Sequence, residues 1–256
     1  MNMLYHQIYN SYITNPDQMG SIFDKVKAVL YMGLCGEAGG EAIANLLFGY
    51  SNPSGRLAET WPLKYEDCVS ATYYGNKFKD AQYREGIYVG YRYYETAGVK
   101  VRFPFGHGIS YTHFSYSDLQ VDGNKVRCTV KNVGETAGKE VVQLYIEPIK
   151  SRVHRPVCEL KGFDKVELEP GESKTVTFLL NKRSFAVWEN GWKVPSGDYA
   201  ICIGKNSHEM CLKKEVSIDM DEVTDSATLP KWYRTLMGVP ARQDFEVLLG
   251  RRIVDS

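Results

Sequence analysis

The sequence predicts a mainly β protein with an α/β portion: part of an α/β sandwich at the start of the chain, followed by a β-sandwich. Three observations predict it. A short apolar run is followed by residues that repeat with a helical period. After Phe114 apolar residues alternate with period two. Turn-forming residues punctuate that second region at short intervals.

The α/β portion comes first. Val26-Lys27-Ala28-Val29-Leu30-Tyr31-Met32 suits a buried parallel strand, and Gly33-Leu34-Cys35-Gly36 a turn. Residues 37–48 read as a helix, because Ala38, Ala42 and Leu46 recur at i+4 with Ile43 and Leu47 beside them, and Gly49 falls where a helix ends. One strand–loop–helix unit cannot bury both faces of a sheet, so this segment needs partners. A second copy of the chain is one expected partner, giving a homodimer; residues 1–20 are another candidate cover.

Residues 64–112 have poor periodicity and are rich in aromatic residues and glycine. Nine tyrosines and four phenylalanines fall between Tyr73 and Tyr116. A connection this long is usually functional or packed on another domain. From 113 to 220 short runs alternate with turns. Val126, Cys128 and Val130 are expected inward, with Val142, Leu144, Ile146, Val176, Phe178, Leu180, Ile201 and Val216. Asp122-Gly123-Asn124, Asn132-Val133-Gly134, Pro170-Gly171 and Pro195-Ser196-Gly197 mark turns. About seven short strands in roughly 100 residues form a sandwich. The tail, 221–256, carries Trp232, Tyr233, Leu236, Phe245, Leu248 and Leu249, and is expected to dock. The boundaries are therefore 1–63, 64–112, 113–220 and 221–256.

Composition excludes several classes. Lys plus Arg equals Asp plus Glu at 31 each, which gives no electrostatic reason to expect nucleic acid or an anionic membrane as partner. No apolar run approaches the ~20 residues that span a bilayer, and residues 1–15 have no apolar core of a secretory signal, so a cytoplasmic location is expected. Cys35, Cys68, Cys128, Cys158, Cys202 and Cys211 form no CxxC pair, and are expected to be reduced and packed as small hydrophobes, with no metal site and no cofactor.

Several residues invite a functional reading. Glu85, Arg92, Tyr93 and Tyr94 are the candidate substrate-binding residues, because Arg and carboxylate groups grip hydroxyls and tyrosine faces stack on sugar rings. The competing reading is an inter-domain seam. Glu37 and Glu41 stand i,i+4 on one helix near its N-terminus, where negative charge is stabilising. Gly33, Gly36, Gly39 and Gly40 match no phosphate-loop spacing. His107, between two glycines, reads as a turn histidine. Trp188 fits a strand core and Trp192 a hairpin tip; with Tyr199 they otherwise suggest a carbohydrate-binding surface.

Several motifs, in order, resemble signatures of family 3 glycoside hydrolases. They are the run 36–49 with Asn52-Pro53-Ser54-Gly55-Arg56-Leu57, then Glu85-Gly86-Ile87-Tyr88-Val89-Gly90-Tyr91-Arg92-Tyr93-Tyr94, then Phe103-Pro104-Phe105-Gly106-His107-Gly108. Residues 113–220 are similar to that family's fibronectin type III-like (immunoglobulin-like) domain through Asn132-Val133-Gly134, Glu159-Leu160-Lys161-Gly162-Phe163 and Leu168-Glu169-Pro170-Gly171. The resemblance spans roughly residues 22–220 and implies a β-glucosidase-type enzyme that cleaves β-linked sugars with retention. It implies an aspartate nucleophile in a (β/α)8 barrel and a glutamate acid/base earlier in the second domain. Retention needs two carboxyls about 5 Å apart, and neither role maps onto a residue of this sequence. The expectation is a module that is catalytically incomplete alone and is partnered by a barrel domain or subunit. A non-catalytic carbohydrate-binding or protein-interaction module is the alternative.

Overall fold

A computed structural model of the chain describes residues 25–71, 83–223 and 241–254. Residues 1–20, Tyr73, Trp232, Tyr233 and Leu236, named above, lie outside the described residues.

The β-sandwich forms as the alternation requires. Strands β3 (Phe114–Asp122), β4 (Lys125–Asn132) and β7 (Ser173–Leu179) make a three-stranded sheet in the order β3-β4-β7. Strands β5 (Gly138–Ile149), β6 (Glu159–Leu168), β10 (Gly197–Gly204) and β11 (Met210–Ile218) make a four-stranded sheet in the order β11-β10-β5-β6. All of these pairings are antiparallel. Val126, Cys128 and Val130 of β4 meet Val142, Leu144 and Ile146 of β5 in one core, closed by Val176, Phe178, Leu180, Ile201 and Ile203. Val216 packs against that core from β11.

Strand β5 departs from the expected pattern. Its alternate residues, Gln143 and Tyr145, are buried as well. Tyr145, Cys158, Ala200 and Cys202 form a second core on the outer face of the four-stranded sheet, with Tyr91 packed against it. The aromatic segment covers that face. The sheet is therefore buried on both sides, as a strand flanked by two layers must be.

Before the sandwich lie helix α1 (Gly39–Leu47), strand β1 (Trp61–Pro62), a 3-10 turn (Tyr65–Asp67), helix α2 (Tyr91–Ala97) and strand β2 (Val101–Phe103). Strands β1 and β2 pair antiparallel, with Trp61 opposite Phe103. Helix α1 begins two residues later than the sequence pattern suggests and stops before Gly49, which takes φ 76°. The expected strand over Val26 and Met32 is corrected: residues 26–32 join no ladder among the described residues, and Val29 and Tyr31 are exposed. An apolar run becomes a parallel strand only where neighbouring strands accept its hydrogen bonds.

After β7 come the single-turn helix α3 (Lys182–Phe185) and the hairpin of β8 (Val187–Trp188) and β9 (Trp192–Lys193). Trp188 is also corrected. It is exposed, not in the core, and its ring meets that of Trp192 edge-on at 5.4 Å. The chain is described again at helix α4 (Arg242–Leu249), where Arg84 lies 5.6 Å over the Phe245 ring and Ile253 is buried. Leu248 and Leu249 are exposed. All six cysteines are free thiols, and Cys128, Cys158 and Cys202 are buried.

Candidate functional site

Three sequence motifs converge on the sandwich, and backbone contact brings the first together with the last. Leu57 N donates to His107 O at 2.9 Å, and Gly106 N donates to Leu57 O at 2.8 Å. This approach explains two glycines. A Cβ on Gly108 would stand 2.4 Å from Gly55 O, and one on Gly106, whose φ is 83°, would stand 2.2 Å from the Gln143 amide. Gln143 Nε2 in turn donates to Gly106 O and Lys205 O, and Tyr145 Oη donates to Gln143 Oε1. The buried amide is satisfied on both sides, as a buried polar group must be. His107 occupies the turn as expected, its N donating to Pro104 O and its ring stacked on Phe103. Burial, with Arg56 nearby, pushes its pKa down.

Arg56 reaches from the same motif into the sandwich. Its Nη2 meets Glu140 Oε2 at 2.5 Å, and Tyr116 Oη donates to Glu140 Oε1 at 2.6 Å. Burial and the adjacent carboxylate push the Tyr116 phenol far above its usual range. Asn52 completes this contact: its Nδ2 donates to Ala137 O, and its Oδ1 accepts from Ser110 Oγ and Tyr111 N.

The middle motif forms α2, which lies on the outer face of the four-stranded sheet. Leu160 N donates to Tyr91 Oη at 2.8 Å, and Val157 N donates to Thr96 Oγ1 at 3.1 Å. Glu95 accepts from Ser207 Oγ at 2.8 Å and lies 3.2 Å from His208 Nδ1. Arg92 Nη2 stands 3.6 Å from Glu159 Oε1. Lys161 Nζ approaches the same oxygen at 3.4 Å, while Arg155 Nη2 holds Glu159 Oε2 at 2.6 Å. Burial raises the Glu159 pKa, but Lys161, Arg155 and Arg92 outweigh it and hold the carboxyl below its usual range. Lys161 is pushed down by burial and by the two arginines, against the pull of Glu159.

The three candidates on α2 do not converge. Arg92, Tyr93 and Tyr94 share α2, but successive helical residues point about 100° apart. Arg92 faces Glu159. Tyr94 is buried toward Cys68, to which it is hydrogen-bonded, and Tyr93 meets the Tyr94 ring edge-on at 5.4 Å. Glu85 lies half-buried in the turn before α2, its carbonyl accepting from Tyr88 N. The arrangement around α2 is a packed seam with an ionic cluster at its edge. Glu140, Gln143, Glu159 and Lys161 are the polar residues that sequence reasoning did not single out for a role. Their signal is a charged or amide side chain inside a strand pattern that otherwise reads as core. Glu37 and Glu41 are exposed. Among the described residues no cluster of three or more His, Cys, Asp or Glu side chains suits a metal ion, and no helix is long and apolar enough to cross a membrane.

Comparison with known proteins places these motifs. Residues 10–111 match the glycosyl hydrolase family 3 C-terminal domain, and residues 140–207 match a fibronectin type III-like domain. The chain is 50% identical over 207 residues to thermostable beta-glucosidase B of Acetivibrio thermocellus, covering 77% of this chain and 27% of that protein. It is 41% identical over 210 residues to an exo-alpha-(1->6)-L-arabinopyranosidase of Bifidobacterium breve, covering 79% of this chain and 28% of that one. Among solved structures it superposes on beta-glucosidase 3B from Thermotoga neapolitana in complex with glucose, with a TM-score of 0.73 and 40% identity. That match covers 77% of this chain and 29% of the other. The chain therefore spans little more than a quarter of the length of these relatives.

Proposed function

The chain carries the C-terminal region of a family 3 glycoside hydrolase, and from that premise we propose that it serves glycoside hydrolysis as a structural module, with the catalytic carboxylates supplied by other parts of the enzyme. One observation carries this reading. The acidic side chains at the motif contacts, buried Glu140 and half-buried Glu159, are each bound by an arginine. A retaining pair needs two carboxyls about 5 Å apart with substrate between them. Carboxylates tied to arginine and tyrosine inside a packed contact do a different job: they fix the α/β portion and α2 on the sandwich. The relatives carry two names, beta-glucosidase and arabinopyranosidase, over the same region. Sugar selectivity is accordingly assigned to the rest of such enzymes and not to this module.

The test is a chromogenic β-glucoside assay on the 256-residue chain alone and mixed with a separately produced barrel domain. Turnover only in the mixture is expected. Turnover by the chain alone, abolished by one substitution at a carboxylate, overturns the proposal.

A second reading is favoured by the exposed Trp188–Trp192 pair, with Arg183 3.7 Å over the Trp192 ring. Such a platform suits a carbohydrate-binding module. Tryptophan fluorescence titrated with cellobiose separates the two readings. Saturable quenching that is lost in Trp188→Ala supports binding, and a flat response supports the structural role.

A further inference from the structure

We infer that Arg92 and Lys161, with Arg155 beneath them, form a binding site for a small oxyanion, a carboxylate or phosphate monoester, at the edge of the contact between α2 and β6. The inference goes beyond the proposed structural role and stands independently of it.

Three cationic side chains surround a single carboxylate. Arg155 and Glu159 make the short contact, 2.6 Å, and Arg155 Nη1 also donates to Phe185 O at 2.8 Å. Arg92 and Lys161 share the other carboxylate oxygen at 3.6 and 3.4 Å, beyond the 2.7–2.9 Å of a charge-assisted hydrogen bond. Both therefore keep donors that Glu159 does not saturate. Arg155 Nε, buried, has no hydrogen-bond partner among the described residues. The local balance is three positive charges to one negative. The other acids of this sheet face are engaged elsewhere: Glu95 with Ser207 and His208, and Glu147 with Lys213.

Burial makes that imbalance matter. The side chains of Arg155, Glu159 and Lys161 are 3%, 13% and 16% exposed, whereas that of Arg92 is 38% exposed. Cations so far withdrawn from water are costly without a counter-charge. The depressed pKa of Lys161 has the same origin, burial plus the neighbouring arginines. Arg92 is the open side. An oxyanion entering there meets the planar guanidinium, which matches carboxylate and phosphate geometry, and the ammonium of Lys161, a point charge. Glu159 Oε1 repels it. The two remaining positive charges outweigh that repulsion and make the site select an anion over a cation.

The experiment follows thermal unfolding of the whole chain during titration with glucose 6-phosphate, glucuronate and uncharged glucose, at ionic strength held constant with chloride. A saturable rise in Tm is expected with at least one of the two acids and none with glucose. Response to glucose 6-phosphate alone identifies a phosphate site, and response to glucuronate alone a carboxylate site. Lys161→Met keeps the apolar stem and removes the charge; it is expected to weaken the apparent affinity at least tenfold, as is Arg92→Gln. An NMR titration of the Lys161 ammonium is expected to show its pKa rising when the acid binds. No saturable shift with either acid, an equal shift with glucose, or unchanged affinity in Lys161→Met would overturn the inference.

Discussion

Arg56 and Glu140 form a salt bridge at 2.5 Å with side chains only 9% and 3% exposed, and so join the Asn52-Pro53-Ser54-Gly55-Arg56 turn to strand β5. A buried pair adds little over a well-packed apolar pair, but removing one partner strands the other charge, which costs about 3–5 kcal/mol. Arg56→Met is expected to lower stability by that amount in urea unfolding. Tyr116→Phe removes one hydrogen bond to the carboxylate, and is expected to cost about 1–3 kcal/mol.

Gly106 combines a left-handed φ of 83° with the Gln143 amide 2.2 Å from where a Cβ would stand. Gly106→Ala is therefore strained twice over, and an alanine at positive φ alone destabilises by more than about 1 kcal/mol. A lowered Tm, with faster hydrogen exchange at Leu57 and Gly106, is expected, because the bonds from Leu57 N to His107 O and from Gly106 N to Leu57 O loosen first. Unchanged exchange at both amides would place the strain elsewhere.

The sandwich was legible where one side of each strand faces water. In β4, Val126, Cys128 and Val130 alternate with Arg127, Thr129 and Lys131, and period two fixes the face. It was not legible in β5, where Gln143 and Tyr145 alternate with the inward residues and are nevertheless buried, under α2 and the loop around Gly106. No local pattern carries a contact made by residues so far away in the chain. Trp188 misled for a different reason: β8 is two residues long, too short for periodicity to fix a face. At the site, Arg92 was a candidate because a guanidinium grips hydroxyls, whereas its partner Glu159 drew attention only as part of a family motif.

Glu159 links the fold to acid. Its pKa in the folded chain is lower than its ordinary value of 4.5, because Lys161, Arg155 and Arg92 outweigh the effect of burial. A depressed carboxyl stabilises the fold above its unfolded-state pKa, and that contribution disappears as pH falls through the folded-state value. Glu159→Gln is expected to be less stable than the parent at pH 7. The difference should shrink below about pH 4.5, and parallel urea titrations at pH 7, 5 and 3.5 would show whether it does.

The buried thiols act at the other end of the pH scale. Burial pushes Cys128 up to about 11 and Cys202 up to about 12, and moves Cys158 further in the same direction. A thiol raised in the folded state stabilises fully below its unfolded-state pKa, ordinarily 9.0, and the contribution is lost as pH rises through the folded-state value. For Cys128 that amounts to about 2–3 kcal/mol lost between roughly pH 9 and 11. At pH 8 a thiol reagent is expected to label exposed Cys35 quickly and to reach Cys128, Cys158 and Cys202 only on unfolding. Fast labelling of Cys128 in the native chain would contradict the β4 register, since a one-residue slip turns every side chain to the opposite face.

The α/β portion leaves several large apolar side chains uncovered. Leu34 is 96% exposed, Phe48 75% and Tyr50 80%, and the rings of Phe48 and Tyr50 lie 6.4 Å apart. A contiguous apolar patch is the usual mark of an interface. In the beta-glucosidase relative of Acetivibrio thermocellus the matched region is 27% of the protein and is joined to more than twice as much further sequence. Offered as an isolated polypeptide, the 256-residue chain is expected to cover the patch by self-association, and two-fold dimers are the commonest form such contacts take. Light scattering at micromolar concentration should give a mass above 29.0 kDa that falls on dilution. The double substitution Phe48→Asp and Tyr50→Asp removes two exposed rings without touching the core, and is expected to shift the chain to monomer with little change in Tm. A monomer in the parent chain, with α1 protected from hydrogen exchange, would show that the helix is covered from within the chain and that the exposed rings carry no contact.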